Sequence, residues 1–311
     1  MGTPDFAVES LKALVENDFN IVGVITSPDK PAGRGQKINE SAVKKYAKEQ
    51  NLHILQPTNL KDSSFQEELK ALNADLQIIV AFRMLPESVW SMPKLGSINL
   101  HGSLLPQYRG AAPINWAVIN GEDKTGVTTF FLKHEIDTGD ILFKEEIEIS
   151  NNDTAGTIHD KLMLVGANLL VKTTESIIEN NYSETPQHSL IEKEIKHAPK
   201  IFKADCKINW NQNTQSIHNL IRGLSPYPTA WTDIIDTTGK KTSVKIFYTN
   251  SEINSHNYSC GKIIVEGKNS LKIAAKDGFI VVHELQLAGK KRMNTSAFLQ
   301  GFQNIENYKF E

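Results

Sequence analysis

The stretch Ser97 to Ile114, SINLHGSLLPQYRGAAPI, decides how the rest of the chain is read. It opens with a short β-rich run, Ser97 to Leu100, that delivers Asn99 and His101 two positions apart, hence on one face of a strand. Gly102 and the Leu-Leu-Pro step then force an irregular loop whose backbone groups are free to bind a ligand. Open α/β sheets gather their ligands at the carboxyl ends of their strands, which is where these side chains emerge. From spacing alone, an Asn and a His at a strand end are more often loop-capping or surface residues than catalytic ones.

Working outward, short β-rich runs alternate with helical patterns from Phe19 to about Glu145, as βαβ units around a parallel sheet require. Ile21 to Thr26 (IVGVIT) and Leu76 to Phe82 (LQIIVAF) read as buried strands, and Gly126 to Leu132 as another. Ser41 to Gln50 and Ser63 to Leu72 read as amphipathic helices, and Asn151 to Asn180 carries apolar residues at helical spacing behind Asp153 or Thr154 as cap. The expected class is α/β, a doubly wound and mostly parallel sheet. Polar residues 183–200, with Pro186 and Pro199, read as a linker between a domain 1–182 and a domain 201–311. In the second domain, Val244 to Thr249, Gly261 to Val265, Leu271 to Ala275 and Phe279 to Leu287 are short strands separated by turns, which predicts a small OB-like β-barrel.

The segment Glu135 to Leu142, EIDTGDIL, places Asp137 and Asp140 on either side of a Thr-Gly turn. A carboxylate beside an imidazole fixes its tautomer and favours charge on the ring, so Asp137 is a candidate to tune His101. An Asn amide and a carboxylate-oriented His together supply what acyl transfer to an amine needs: a donor for the developing oxyanion and a group that manages the amine proton. The two aspartates also fit the plainer reading of turn residues.

Composition narrows the partners. The 311 residues include two cysteines, Cys206 and Cys260, too few for a disulfide framework and outside any metal-ligand spacing. No apolar run reaches the length of a membrane span, so the expected address is the cytoplasm. Residues 1–190 carry 17 Lys+Arg against 25 Asp+Glu, and residues 191–311 carry 17 against 11. A basic rear third suits a polyanionic partner. No GxGxxG follows an early strand, which argues against a dinucleotide-dependent oxidoreductase.

These motifs together resemble the folate-dependent formyltransferases. The resemblance runs through NLHGSLLPQYRGAAPINWAVINGE, TGVTTF and IDTGDIL, and extends to Met1–Ala7 (MGTPDFA), Ser27–Lys37 (SPDKPAGRGQK), Ala198–Ile201, Ile221–Pro228 and Leu285–Met293 (LQLAGKKRM). The PAGRG loop, RGAAPI and AGKKRM narrow it to the branch that formylates an amine carried on tRNA. The resemblance implies that Asn99 holds the formyl oxygen, that His101 acts at the reacting centre and that Asp137 sets its protonation. It implies that Ser103, Leu104, Leu105 and Pro106 bind the folate of 10-formyltetrahydrofolate. The sequence holds no cluster of metal-ligating residues, so no metal is expected, and the expected state is a monomer. The resemblance also implies that Lys30, Arg34 and Lys37 of the PAGRG loop, with Lys290, Lys291 and Arg292 of the barrel, contact initiator methionyl-tRNA. Phe82 to Leu85 (FRML) stands where the family usually has a Tyr-Gly pair, so no side-chain contact is assigned to Phe82 or Arg83. The alternative acceptor is a small amine such as glycinamide ribonucleotide or an amino sugar. Family members begin with an apolar strand before MGTPDFA, which leads to the expectation that the native product starts upstream of Met1; the mass of its N-terminal peptide tests this.

Overall fold

The computed structural model describes residues 1–32, 37–191, 193–302 and 304–311. The chain forms two compact units, each assembled from three stretches: Met1–Gly110, Thr125–Ile147 and His159–Ala198 in the first, and Ala111–Lys124, Glu148–Ile158 and Pro199–Glu311 in the second. Residues 183–200, read from sequence as a linker, thus contribute to unit 1 as far as Ala198.

In unit 1 the strands in chain order are β1 (Val24–Ile25), β2 (Lys30–Ala32), β3 (Lys37–Asn39), β4 (Ile54–Leu55), β5 (Gln77–Val80), β6 (Ser97–His101), β7 (Arg109–Gly110), β8 (Lys124–Phe131), β9 (Ile141–Glu148) and β10 (His197–Ala198). β5, β6, β8 and β9 form one sheet in that order, with β5 and β6 parallel and β6 and β8 antiparallel. β1 and β4 form a separate parallel pair. Gly2 joins the two sets: its N–H donates to Ile25 O at 3.0 Å while Met1 O accepts from Val80 N–H at 2.9 Å. The Met1 amine donates to Ile78 O at 2.6 Å, and burial pushes its pKa down to about 5. A cavity of about 130 Å³, lined among others by Met1, Leu14, Val22, Leu72 and Ile78, lies alongside.

The helices of unit 1 follow their caps. α1 (Asp5–Glu16) starts behind Pro4, α2 (Ala42–Glu49) behind Ser41, whose hydroxyl accepts the Lys44 N–H, and α3 (Ser63–Ala71) behind Asp62. α4 (Glu87–Trp90) is a single turn. α6 (Ala155–Ile178), which follows α5 (Pro113–Ile119), packs on the sheet where Gly166 lets Leu100 of β6 approach; a Cβ there would stand 2.9 Å from Leu100 Cδ2. The chain order of alternating strands and helices, with β5 and β6 parallel, is the α/β arrangement that the sequence predicts.

Unit 2 is built on an antiparallel sheet of β11 (Ala230–Ile235), β12 (Lys241–Ile253), β13 (Ile263–Glu266), β14 (Ser270–Ala274), β15 (Gly278–Leu287), β16 (Met293–Asn294) and β17 (Lys309–Phe310), ordered β13-β14-β15-β12-β11-β17. An antiparallel bridge between Lys262 and Lys309 brings the two ends of that order together, so the sheet curls on itself. The approach is close at Gly261, φ +83°, where a Cβ would lie 2.2 Å from Phe310 O. The curled sheet encloses Val244, Ile246, Ile273 and Leu285 together with α7 (Thr214–Gly223), which turns Ile217 and Ile221 inward; α8 (Thr295–Gly301) adds Phe298. Among the described residues no helix is long and apolar enough to cross a membrane.

On α7, His218 is buried between Thr249 Oγ1 at 3.0 Å and Asn151 O at 3.3 Å. Burial, with a smaller contribution from the Arg222 charge, pushes its pKa below the usual histidine value. The unfolded chain therefore binds the proton more readily, and the stability this site contributes is complete above about pH 6.5 and is lost as pH falls toward the lower folded-state pKa. Denaturant titrations from pH 7.5 to 5.5 should show stability falling, with a shallower fall in His218→Gln; identical slopes would contradict the assignment.

Candidate active site

β6 is buried at every position but Asn99, and the pleat of the strand sorts its side chains between two faces. Ile98 and Leu100 face the buried side, while Asn99 and His101 share the other face. Asn99 pairs in register with Ile79 on β5 and Phe130 on β8, and His101 with Thr128. Held on both sides by ladder bonds, β6 projects the two side chains at a fixed spacing.

The loop after β6 doubles back under the imidazole. Thr128, completely buried, donates from its hydroxyl to Ser103 O at 2.7 Å and accepts the Leu105 N–H at 3.1 Å. Ser103 Oγ donates to Gln107 O at 2.7 Å, and the N–H of Tyr108, at φ +61°, donates to Lys196 O at 2.6 Å. This path brings Tyr108 O to 2.9 Å from His101 Nε2. A carbonyl oxygen only accepts, so Nε2 carries the proton of the neutral ring and Nδ1 presents a lone pair. Nδ1 faces Asp137 Oδ2 at 3.8 Å, in a place where the two side chains are 7% and 14% exposed.

Asp137 is presented by a tight turn. Its φ is +55°, and Thr138 Oγ1 donates to Glu135 O at 3.0 Å. Gly139 is required: a Cβ there would stand 1.6 Å from Phe131 O. The Gly110 N–H donates to Asp137 Oδ2 at 2.9 Å and aims the carboxylate. Asp140, the other acid of the motif, is paired with Lys133 at 2.5 Å. The turn thus separates the two aspartates, one toward the imidazole and one away from it.

The remaining expected residues fall in distinct places. Ser103 and Leu105 commit their polar groups to Thr128 and Gln107, and Leu105 is buried with Phe130 and Ile141, so these residues shape the loop from within while Leu104 is partly exposed. After β5, Ala81 adopts φ +47° and the backbone of 82–85 makes no backbone hydrogen bond among the described residues. The Arg83 guanidinium is held by Thr58 O at 2.8 Å and by Pro57 O. Lys30 is exposed on β2, which pairs with β3 through Ala32 and Lys37; Arg34 and the side chain of Lys37 lie outside the described residues. In unit 2, Lys290, Lys291 and Arg292 are all exposed, but Arg292 pairs with Glu284 and lies 4.2 Å over the Phe247 ring. Two residues of the site leave no signal in the sequence: Gln187, buried within a polar stretch, and Tyr108, whose contribution is a main-chain carbonyl.

Residues 1–174 match the Formyl transferase family and residues 200–303 the Formyl transferase, C-terminal domain family. The chain is 55% identical over 311 residues to the methionyl-tRNA formyltransferase of Parabacteroides distasonis, covering 99% of this chain and 96% of that one. It is 56% identical over 314 residues to that of Phocaeicola vulgatus, covering 100% and 97%. In fold it is similar to the N-formyltransferase of Helicobacter canadensis, solved with folinic acid and dTDP-3-aminofucose, at a TM-score of 0.63 and 22% identity over 94% of this chain and 97% of that one.

If Thr128 holds the loop as described, Thr128→Val, which keeps shape and removes the hydroxyl, should cost about 1–3 kcal/mol for each of the two groups it orphans. Chemical denaturation reads this; a loss under about 0.5 kcal/mol would show that the hydroxyl carries little of the loop.

Proposed function

This chain belongs to the formyl transferase family and, within it, to the methionyl-tRNA formyltransferases, and from that premise we propose that it formylates initiator methionyl-tRNA through Asn99, His101 and Asp137. The donor, 10-formyltetrahydrofolate, supplies a formyl carbon activated by its attachment to nitrogen. The free backbone of 82–85 beside the ends of β5 and β6 suits the pterin edge of such a molecule. The cytoplasm is the proposed place of action.

The observation that carries the reading is the relation of His101 to Asp137. In the neutral tautomer fixed by Tyr108, Nδ1 and Asp137 Oδ2 are both acceptors, and at 3.8 Å they do not bond to each other. A nucleophilic amine brings the N–H that such a pair lacks. As the α-amine of methionine attacks the formyl carbon, its proton passes to Nδ1 and the Asp137 carboxylate stabilises the resulting positive ring; collapse of the tetrahedral adduct then breaks the bond from that carbon to N10 of the donor, and the ring returns the proton to N10 as tetrahydrofolate leaves. Asn99, whose amide makes no hydrogen bond to another described residue, is available to donate to the carbonyl oxygen as negative charge gathers there. Holding donor and acceptor together contributes the rest.

A tRNA-borne acceptor is supported by the relatives' names, by the β2–β3 hairpin with exposed Lys30, and by the basic turn at Lys290 and Lys291. With Arg292 committed to Glu284 and Phe247, the two lysines are the stronger phosphate contacts of that turn.

Asn99→Ala should lower kcat about 100-fold to 1000-fold with substrate KM little changed, the usual loss of one oxyanion donor; a variant within about 3-fold of wild type would remove Asn99 from the chemistry. Labelled formyl from 10-formyltetrahydrofolate should appear on charged initiator tRNA; label on glycinamide ribonucleotide alone would replace the acceptor. Lys290→Ala and Lys291→Ala should each raise KM for the tRNA, leave folate KM unchanged and reduce the slope of log KM against log salt by about one. An unchanged salt slope would remove that turn from the tRNA surface.

A further inference from the structure

We infer that Gln187 is a positioning residue for formyl transfer, a single buried amide that fixes the geometry of Asp137 from two sides. The inference rests on the assignment of Asn99, His101 and Asp137 above.

Gln187 lies in the polar stretch that follows α6 and is only 2% exposed. It reaches the site because Thr185 pairs antiparallel with Ile141 at the start of β9, with both backbone bonds at 2.9 Å. From there Nε2 donates to Asp137 O and to Gly139 O, each at 2.8 Å, and Oε1 accepts from Arg109 Nε at 3.0 Å and Nη2 at 2.7 Å. Both N–H groups and both lone pairs of the amide are thereby used.

The contacts form a closed circuit around the carboxylate. Asp137 sits at φ +55°, a backbone conformation that costs on the order of 1 kcal/mol or more for a residue with a side chain and persists only when neighbours hold it. Two carbonyls of that turn are held by one side of Gln187. The other side holds Arg109, whose neighbour Gly110 donates to Asp137 Oδ2. Backbone and carboxylate of Asp137 are thus referenced to the same amide. Rotation of the turn would swing Oδ2 relative to His101 Nδ1, the 3.8 Å relation on which proton handling depends. A glutamine is specific here because the turn needs two donors and the guanidinium needs an acceptor. Glutamate offers no donor, and leucine offers neither.

The test is a double-mutant cycle in the full-length protein: Gln187→Leu and Gln187→Glu, each alone and combined with Asp137→Asn. kcat and KM are measured for both substrates, with pH profiles and thermal unfolding. The expected result is a fall in kcat of about 10-fold to 100-fold for each Gln187 variant, the scale of a small misplacement, with KM for tRNA within about 2-fold. In the Asp137→Asn background the further loss should shrink to under about 3-fold, because the geometry that Gln187 protects has no carboxylate left to serve. The pH profiles of the Gln187 variants should shift toward that of Asp137→Asn. Full multiplication of the two losses, a loss confined to KM, or wild-type activity in Gln187→Glu would overturn the inference. Should Gln187→Leu fail to fold, the nearly isosteric Gln187→Glu decides. If Asn99→Ala and Asp137→Asn themselves retain full activity, the proposed function fails; if they lose activity and the Gln187 variants do not, only this inference does.

Discussion

The hydrogen bond between His101 Nε2 and the Tyr108 carbonyl is the constraint on which the rest of the site depends. It is made within one loop, seven residues from donor to acceptor, and it assigns the proton of the neutral ring. Every device in that loop serves to bring Tyr108 back beneath the strand end: the Thr128 hydroxyl bonded to Ser103 and Leu105, the Ser103 contact with Gln107, and the left-handed Tyr108 itself. A main-chain carbonyl is well suited to the task, since it has no donor state and does not titrate.

With Nε2 so occupied, Nδ1 and Asp137 face each other as acceptors across a distance too long to bond and short enough for a shared proton donor. The turn that carries Asp137 is held open by Gly139, where no side chain fits, and closed by Gln187 and the Gly110 N–H. Positive φ recurs in side-chain-bearing residues at Ala81, just beyond β5, and at Tyr108 and Asp137 in the loops of this site. Backbone strain gathered around reactive groups, with surrounding bonds fixing it, is the pattern expected of a preorganised centre.

Much of this was legible in the sequence, for physical reasons. The period-two pattern of Ser97–His101 gave the shared face of Asn99 and His101, and the α/β class followed from alternating elements; the capped helices at Ser41 and Asp62 lie within one or two residues of where the pattern places them. The curled sheet of unit 2 likewise follows its turn-separated β-rich runs, although β12 extends well past both ends of Val244–Thr249 because a strand paired on both sides tolerates exposed polar residues. α1, α4, α5 and α8 lie outside the helices expected from the sequence, α4 being a single turn and α5 short and apolar around Trp116. Asp137 and Asp140 look alike in sequence; the Lys133 ion pair on one, and the Gly110 N–H and the approach to His101 on the other, tell them apart. Gln187 escaped because a polar, proline-bounded stretch reads as solvated chain; its role depends on Thr185 pairing with Ile141, a long-range contact that no local pattern encodes.

The most direct measurement is the tautomer of His101, read by long-range nitrogen–hydrogen correlation NMR on imidazole-labelled protein at a pH where the ring is neutral. The account predicts a proton on Nε2 and an unprotonated Nδ1. A proton on Nδ1, or a rapid mixture of the two tautomers, would contradict it.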